Sequence, residues 1–200
     1  MKIDERYIIW FVLNLYEGWY SNDPDDAGGE TFRGISRKAH PEWHGWAMID
    51  AIKEKRDFDE LVKKSRTLKE YVIAFYENEY WKGEDLYSLP IEIATEIFEQ
   101  SINFGKPRAA KHLQISCNAV GYGVANSLAE DGEIGIKTVV AVNQIGNAGR
   151  DVKLLRALNS LQGCRYIELM RKNPKYRKFV GWFNRVDYSL YQKIKREKEI

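Results

Sequence analysis

Residues 16–36 read YEGWYSNDPDDAGGETFRGIS, and the interpretation of this stretch decides what the chain is built to hold. Glu17 closes an almost unbroken apolar run from Tyr7 to Tyr16 and is followed by Gly18 and an acidic, glycine-rich segment. The pattern predicts a helix over about Asp4 to Glu17, apolar on most faces and therefore buried, that ends in an open loop. Leu13 and Asn14 then lie one turn back beside Glu17, and the unpaired carbonyls of the last turn point towards it. Desolvation and the negative end of the helix dipole both favour a protonated carboxyl, so Glu17 is expected to serve as a general acid near neutral pH. Asp23, Asp25 and Asp26 occupy a polar loop that should stay hydrated and ionised. Two carboxyl environments that push pKa values apart suit glycoside hydrolysis, in which one group protonates the leaving oxygen and another handles water or developing positive charge. Gly28-Gly29 permits a tight turn. Glu30 to Ser36, with Thr31, Phe32 and Ile35, then predicts a small β-hairpin beside the helix end.

Taken singly, a glutamate at a helix end is commonly a solvated surface group, and Asp, Asn, Pro and Gly clusters are commonly turns. The ordered run of residues separates the readings. Glu17-Gly18-Trp19-Tyr20, Asn22-Asp23-Pro24, Asp26-Ala27-Gly28-Gly29-Glu30-Thr31 and Gly34-Ile35-Ser36 together resemble the N-terminal signature of glycoside hydrolase family 108. Those are bacterial and phage N-acetylmuramidases with a lysozyme-like fold, and the resemblance implies that Glu17 is the catalytic acid. The family usually carries glycine where Trp19 stands, and an indole there narrows the cleft or stacks on a sugar. The spacing is also similar to the Glu, Asp, Thr arrangement of phage lysozymes. Eight residues stand between Glu17 and Asp26, as in that pattern, while Thr31 falls one position early. The resemblance thus implies Glu17 as the catalytic acid and, by the phage-lysozyme spacing, Asp26 and Thr31 as its catalytic partners, with Asp23 the alternative to Asp26; Trp19, Tyr20, Asp23 and Tyr80 are the expected sugar contacts.

Length and composition agree with a globular protein. Two hundred residues, 44% hydrophobic and 13% aromatic, suffice for one domain or a domain with a compact appendage. A net charge of +2, from 31 basic and 29 acidic residues, supplies no strong field for nucleic acid. Cys117 and Cys164 are too few and too far apart for a disulfide framework and read as buried free thiols. The opening MKIDERYIIW lacks a small-residue cleavage site, and its apolar run is shorter than the ~20 residues that span a bilayer. Synthesis in the bacterial cytoplasm without a signal peptide is expected, with no stable membrane insertion. By the resemblance, a holin-like protein aids release to the cell wall.

Along the chain, Ser36 caps a turn that Pro41 stops. His40 and His44 have helical zinc-ligand spacing, but Pro41 lies between them and no third ligand is near, so no metal or other cofactor is expected. Trp43 and Trp46 suit either a sugar cleft or the core. Two short helices between Ala47 and Lys64 break near Arg56-Asp57. Thr67 to Glu70 reads as a capping box opening a helix to about Trp81. Ser88-Leu89-Pro90 opens the next helix and Gly105 ends it. Ser101 to Gly105, Arg108-Ala109-Ala110 and Leu113-Gln114 match the start of the family's C-terminal half. Asp131-Gly132-Glu133-Ile134-Gly135 with Thr138 is similar to the Asp-Gly-x-x-Gly-x-x-Thr signature of small helical peptidoglycan-binding modules; physically it is a turn feeding a capped helix. Asn118 to Ala129 reads as a surface loop and Asp151 to Arg171 as a long amphipathic helix. Asn173-Pro174 restarts the chain, and Phe179, Trp182, Phe183 and Val186 pack back on the core. Residues 193–200 read as a frayed tail.

These readings combine into a mainly α-helical, lysozyme-like fold with a small β-hairpin after the first helix. The expected organisation is a catalytic region at 1–88, a helical peptidoglycan-binding-like region at 89–190 packed on it as one compact unit, and a tail at 191–200. The resemblance implies hydrolysis of the β-1,4 bond between N-acetylmuramic acid and N-acetylglucosamine, with peptidoglycan glycan strands as the partner. A non-catalytic wall-binding or secretion-assisting protein is the alternative, and a lytic transglycosylase a third. Near-zero net charge argues against a nucleic-acid binder using Lys172 to Lys178.

Overall fold

The structure is a computed structural model that describes residues 3–22, 29–83 and 85–199. It is mainly α-helical, with one small antiparallel sheet after the first helix. The chain divides into two compact units, one of Asp4–Asn78 and the other of Glu79–Ile200 with Met1–Ile3.

In the first unit, α1 spans Glu5–Tyr16 and is capped by Asp4, whose carboxylate accepts from the Tyr7 amide. Its buried residues are Ile8, Ile9, Val12 and Leu13, while Leu15 is 49% exposed. The helix expected to be buried on most faces therefore buries one stripe. The spacing of those four positions explains why: they form a single face, and it packs on α4. Strands β1 (Tyr20–Ser21), β2 (Thr31–Phe32) and β3 (Ile35–Ser36) pair antiparallel in that order, with Tyr20 opposite Phe32 and Phe32 opposite Ile35. The expected hairpin is β2–β3. Its two-residue turn, Arg33-Gly34, has φ of 50° and 80°, the positive pair that matches the right-handed twist of the flanking strands.

Helices α2 (Gly45–Asp50) and α3 (Phe58–Lys64) follow; the break covers 51–57, which includes the expected Arg56-Asp57 but begins earlier. Helix α4 is Arg66–Tyr76, and its cap is Ser65, whose hydroxyl accepts from the Leu68 amide. Thr67 is not the cap: it lies inside the first turn, because Ser65 is the residue with extended backbone angles. A π-helical stretch, Glu77–Lys82, continues the chain.

The second unit is built on α5 (Ile91–Phe104), which packs against α6 (Lys106–Val120), α8 (Asp151–Lys172) and α9 (Leu190–Glu199). Helix α7 (Ile136–Asn147) packs on α6 and α8. Gly105 ends α5 and starts α6 with a φ of 84°, a corner that favours glycine. Pro90 stands at the start of α5 without a side-chain cap, while Ser88 belongs to a preceding 3-10 turn and bonds Asp85. Asn118 is helical and not part of a loop; its amide grips Leu128 from both sides, at 2.7 and 3.0 Å.

Three further expectations are corrected. Residues 190–199 form α9, with Leu190 and Ile194 2% and 0% exposed, so the tail is a packed helix. Cys164 is exposed, and only Cys117 is a buried thiol, pushed up to about 12 by burial. The segment Pro174–Arg185 keeps the Asn173 cap and first-turn proline, but it is 3-10 in geometry and buries no residue. Phe179 and Phe183 remain 39% and 37% exposed, because its short turns lay the chain along the surface. Among the described residues no helix is long and apolar enough to cross a membrane.

Candidate active site

Glu17 is the first residue beyond α1. Its amide closes the helix on the Leu13 carbonyl at 2.9 Å, while its own backbone turns extended and leads into β1. The helix thus ends at Tyr16, one residue earlier than expected, and Gly18 has an ordinary φ. The half-buried Glu17 side chain lies against Gly34 in the β2–β3 turn: a Cβ added to Gly34 would stand 2.9 Å from Glu17 Oε2 and 2.6 Å from the Tyr76 hydroxyl. Glycine at this turn lets the carboxylate lie flush against the hairpin backbone.

Arg33 locks this arrangement. Its guanidinium, in a side chain only 1% exposed, donates to the Glu17 carbonyl and to Asn14 Oδ1, each at 2.8 Å. The Trp10 and Trp19 rings flank it, with centroids 5.1 and 4.5 Å away. The Arg33 amide donates to the Trp19 carbonyl at 2.7 Å, and the Tyr76 hydroxyl donates to the Arg33 carbonyl at 2.7 Å. Burial pulls the guanidinium below its ordinary value, opposed by its electrostatic interactions with Tyr76 and Glu17. The helix end therefore carries a cation, a feature that helix-dipole reasoning from sequence omits. Arg33 and Tyr76 are the residues sequence reasoning missed. The available signal was the Arg-Gly pair between two short extended segments.

Thr31 lies half-buried in β2, opposite Ser21 and Ser36. Trp19 covers Arg33 and meets Trp10 and Phe32 edge-on. The Tyr20 hydroxyl donates to Glu30 at 3.0 Å, and its pKa is pushed up to about 12 by burial and by Glu30. Glu30 also pairs with Arg37, which reaches Asp50 at 2.7 Å and stacks on Trp46. That network ties the hairpin to α2. Asp23 and Asp26 lie outside the described residues. Trp46 is buried in the interior of this unit, and the half-buried Trp43 stacks on Phe32 and packs its ring over Gly45.

Tyr80 belongs to the second unit, where its ring lies edge-on to Phe98 with Lys106 Nζ 5.1 Å from its centroid. The Asp131 to Thr138 motif is held by α6. Gln114 donates to Asp131 at 2.6 Å and to the Glu133 carbonyl at 2.9 Å, and accepts from the Gly132 amide at 3.0 Å. These bonds and the Glu133 amide hold the Asp131 carboxyl below its ordinary value. Helix α7 begins after this turn without a side-chain cap.

Residues 10–105 match the family described as Glycosyl hydrolase 108, and residues 108–187 match the Predicted Peptidoglycan domain. The carboxylate at the end of α1 falls inside the family 108 segment, and the Gln114-clamped turn falls inside the peptidoglycan domain. The two matches mark a peptidoglycan-directed protein of lysozyme-like, glycoside hydrolase type. Ten chains of known structure are similar. One is described as the structure of Brucella abortus SagA, with a TM-score of 0.52 at 24% identity, covering 92% of this chain and 89% of that one. That likeness concerns the fold. No curated protein matches.

Proposed function

We propose that the family 108 segment is an N-acetylmuramidase that hydrolyses the β-1,4 bond between N-acetylmuramic acid and N-acetylglucosamine, with Glu17 as its general acid. The observation that carries this reading is the seating of Glu17: one half-buried carboxylate at a helix end, against a glycine turn that admits no side chain. Glu17 gives its proton to the glycosidic oxygen as the bond to the muramic acid C1 breaks. Asp26 stabilises the oxocarbenium-like transition state or orients water, Thr31 helps place that water, and the water oxygen completes the reducing end. Trp19, Tyr20 and Asp23 line the adjoining sugar positions. Arg33, stacked between two indoles, acts as a positioning residue for the helix end. The downstream peptidoglycan domain retains the enzyme on glycan strands. In a phage-type lytic cycle the protein reaches the wall from the cytoplasm with the aid of a holin-like protein.

The test is product analysis of purified peptidoglycan incubated with the protein and with Glu17→Gln. New reducing muramic acid ends from the first and none from the second are expected. Anhydro-muramic ends would replace hydrolysis by lytic transglycosylation. Wall binding without products from either protein would make the chain a non-catalytic peptidoglycan binder.

A further inference from the structure

Residues 171–186 read RKNPKYRKFVGWFNRV. No aspartate or glutamate occurs from Leu169 to Val186, in a chain whose acids and bases are otherwise nearly balanced. Arg171, Lys172, Lys175, Arg177 and Lys178 are all exposed. Beside them Val180 is 70% exposed and Phe179 39%. The Lys178 ammonium lies 5.0 Å from the Phe179 ring centre.

The segment is nevertheless firmly held. At its start Asn173 Oδ1 accepts from the Lys175 amide at 3.1 Å. At its end Arg185 donates at 2.9 Å to Glu99, a carboxylate with no exposed surface that also accepts from Gln162 at 2.6 Å. Between them the Trp182 ring rests 5.5 Å from the buried Tyr166, and Phe179 stacks on Trp182 at 5.1 Å with the planes 8° apart. A chain anchored at both ends and at its centre leaves aliphatic and aromatic surface in water among five cations. Folding alone does not account for that surface, and exposed apolar groups gathered beside cations mark an interaction site.

We propose that residues 171–183 form a peripheral docking surface for an anionic lipid bilayer. The cations face the headgroups, and Phe179, Val180 and Phe183 enter the boundary with the acyl chains. A nucleic acid or soluble polyanion would engage the same cations, yet it offers nothing to Val180, the most exposed apolar side chain of the segment. A bilayer surface accepts both. The docking is independent of the catalytic reading and calls for no membrane-spanning helix.

The test is co-sedimentation of the full chain with vesicles of phosphatidylcholine alone and of phosphatidylcholine mixed with phosphatidylglycerol. Partition onto the mixed vesicles is expected, at least tenfold above that onto the neutral ones. Replacing Lys175, Arg177 and Lys178 by alanine should lower it about 100-fold, at about fivefold per cation. Val180→Ser changes no charge and should lower vesicle binding about fivefold while leaving retention on heparin unchanged. Unaltered circular dichroism and melting of both variants keep the comparison clean. Equal partition onto both vesicle types would overturn the proposal, as would mixed-vesicle binding insensitive to Val180→Ser. Tighter retention on duplex DNA than on mixed vesicles would assign the surface to nucleic acid instead.

Discussion

Gly34 meets two demands that no other residue type satisfies together. Its φ of 80° favours glycine, and its missing side chain makes room for the Glu17 carboxylate and the Tyr76 hydroxyl. Gly34→Ala should therefore cost about 1–3 kcal/mol of stability and displace Glu17, so that product release falls further than folding does. Gly18→Ala is the matched control. Gly18 has an ordinary φ and nothing within 4 Å of an added Cβ, so its change should stay within about 0.5 kcal/mol. Urea denaturation and a reducing-end assay on the same preparations separate the two effects. Arg33→Lys probes the other half of the lock. Lysine keeps the charge but lacks the fork that serves Glu17 O and Asn14 Oδ1 together, which leaves a part-buried acceptor without this donor at a cost of about 1 kcal/mol. Denaturation midpoints for this variant against wild type check it.

At the scale of elements, helix starts offer the sharpest comparison between residue pattern and structure. Ser65→Ala should destabilise the protein by about 0.5–2 kcal/mol, because the Leu68 amide loses its acceptor. Thr67→Ala, at the position the capping-box pattern favours, should change stability by less than about 0.5 kcal/mol; thermal melts of both variants decide it. The end of α1, the β2–β3 hairpin and the corner at Gly105 were legible because local chemistry dictates them. The Arg33 lock was not legible, since burying a guanidinium depends on Trp10 and Trp19 meeting it in space. Helix α9 was hidden by its charges: Leu190 and Ile194 form a narrow i, i+4 stripe among six charged residues from Lys193 to Glu199. Residues 174–185 misled in the opposite direction. Their aromatic content suggests core, while their 3-10 turns keep every side chain at least partly in water.

On the scale of the whole molecule, the dependence of stability on pH rests on polar groups buried in the second unit. Glu96 is 2% exposed and accepts from Gln100 at 2.7 Å; burial first, then the Glu99 and Asp187 charges, raise its pKa from 4.5 to about 8. His112, whose Nδ1 lies 2.8 Å from Gln100 Oε1, is lowered from 6.5 to about 4, by burial first and then by Arg108 and Arg165. The folded chain therefore holds a Glu96 proton that the unfolded chain has already released above pH 4.5, so this group lowers stability as pH rises towards 8. His112 works in the other sense: the unfolded chain takes up its proton first as pH falls below 6.5, so stability declines towards pH 4. Between pH 4.5 and 6.5 the two slopes oppose one another, and above 6.5 only that of Glu96 remains. Raising the pH from 6.5 to 8 should then cost about 2 kcal/mol, at about 1.4 kcal/mol per pH unit. Glu96→Gln keeps the acceptor for Gln100 but cannot ionise, so its unfolding free energy should be nearly flat across that interval. Urea unfolding of wild type and Glu96→Gln at matched ionic strength reads the difference directly: parallel slopes in the two proteins would place the titrating group elsewhere, whereas a slope present only in wild type assigns it to this carboxyl.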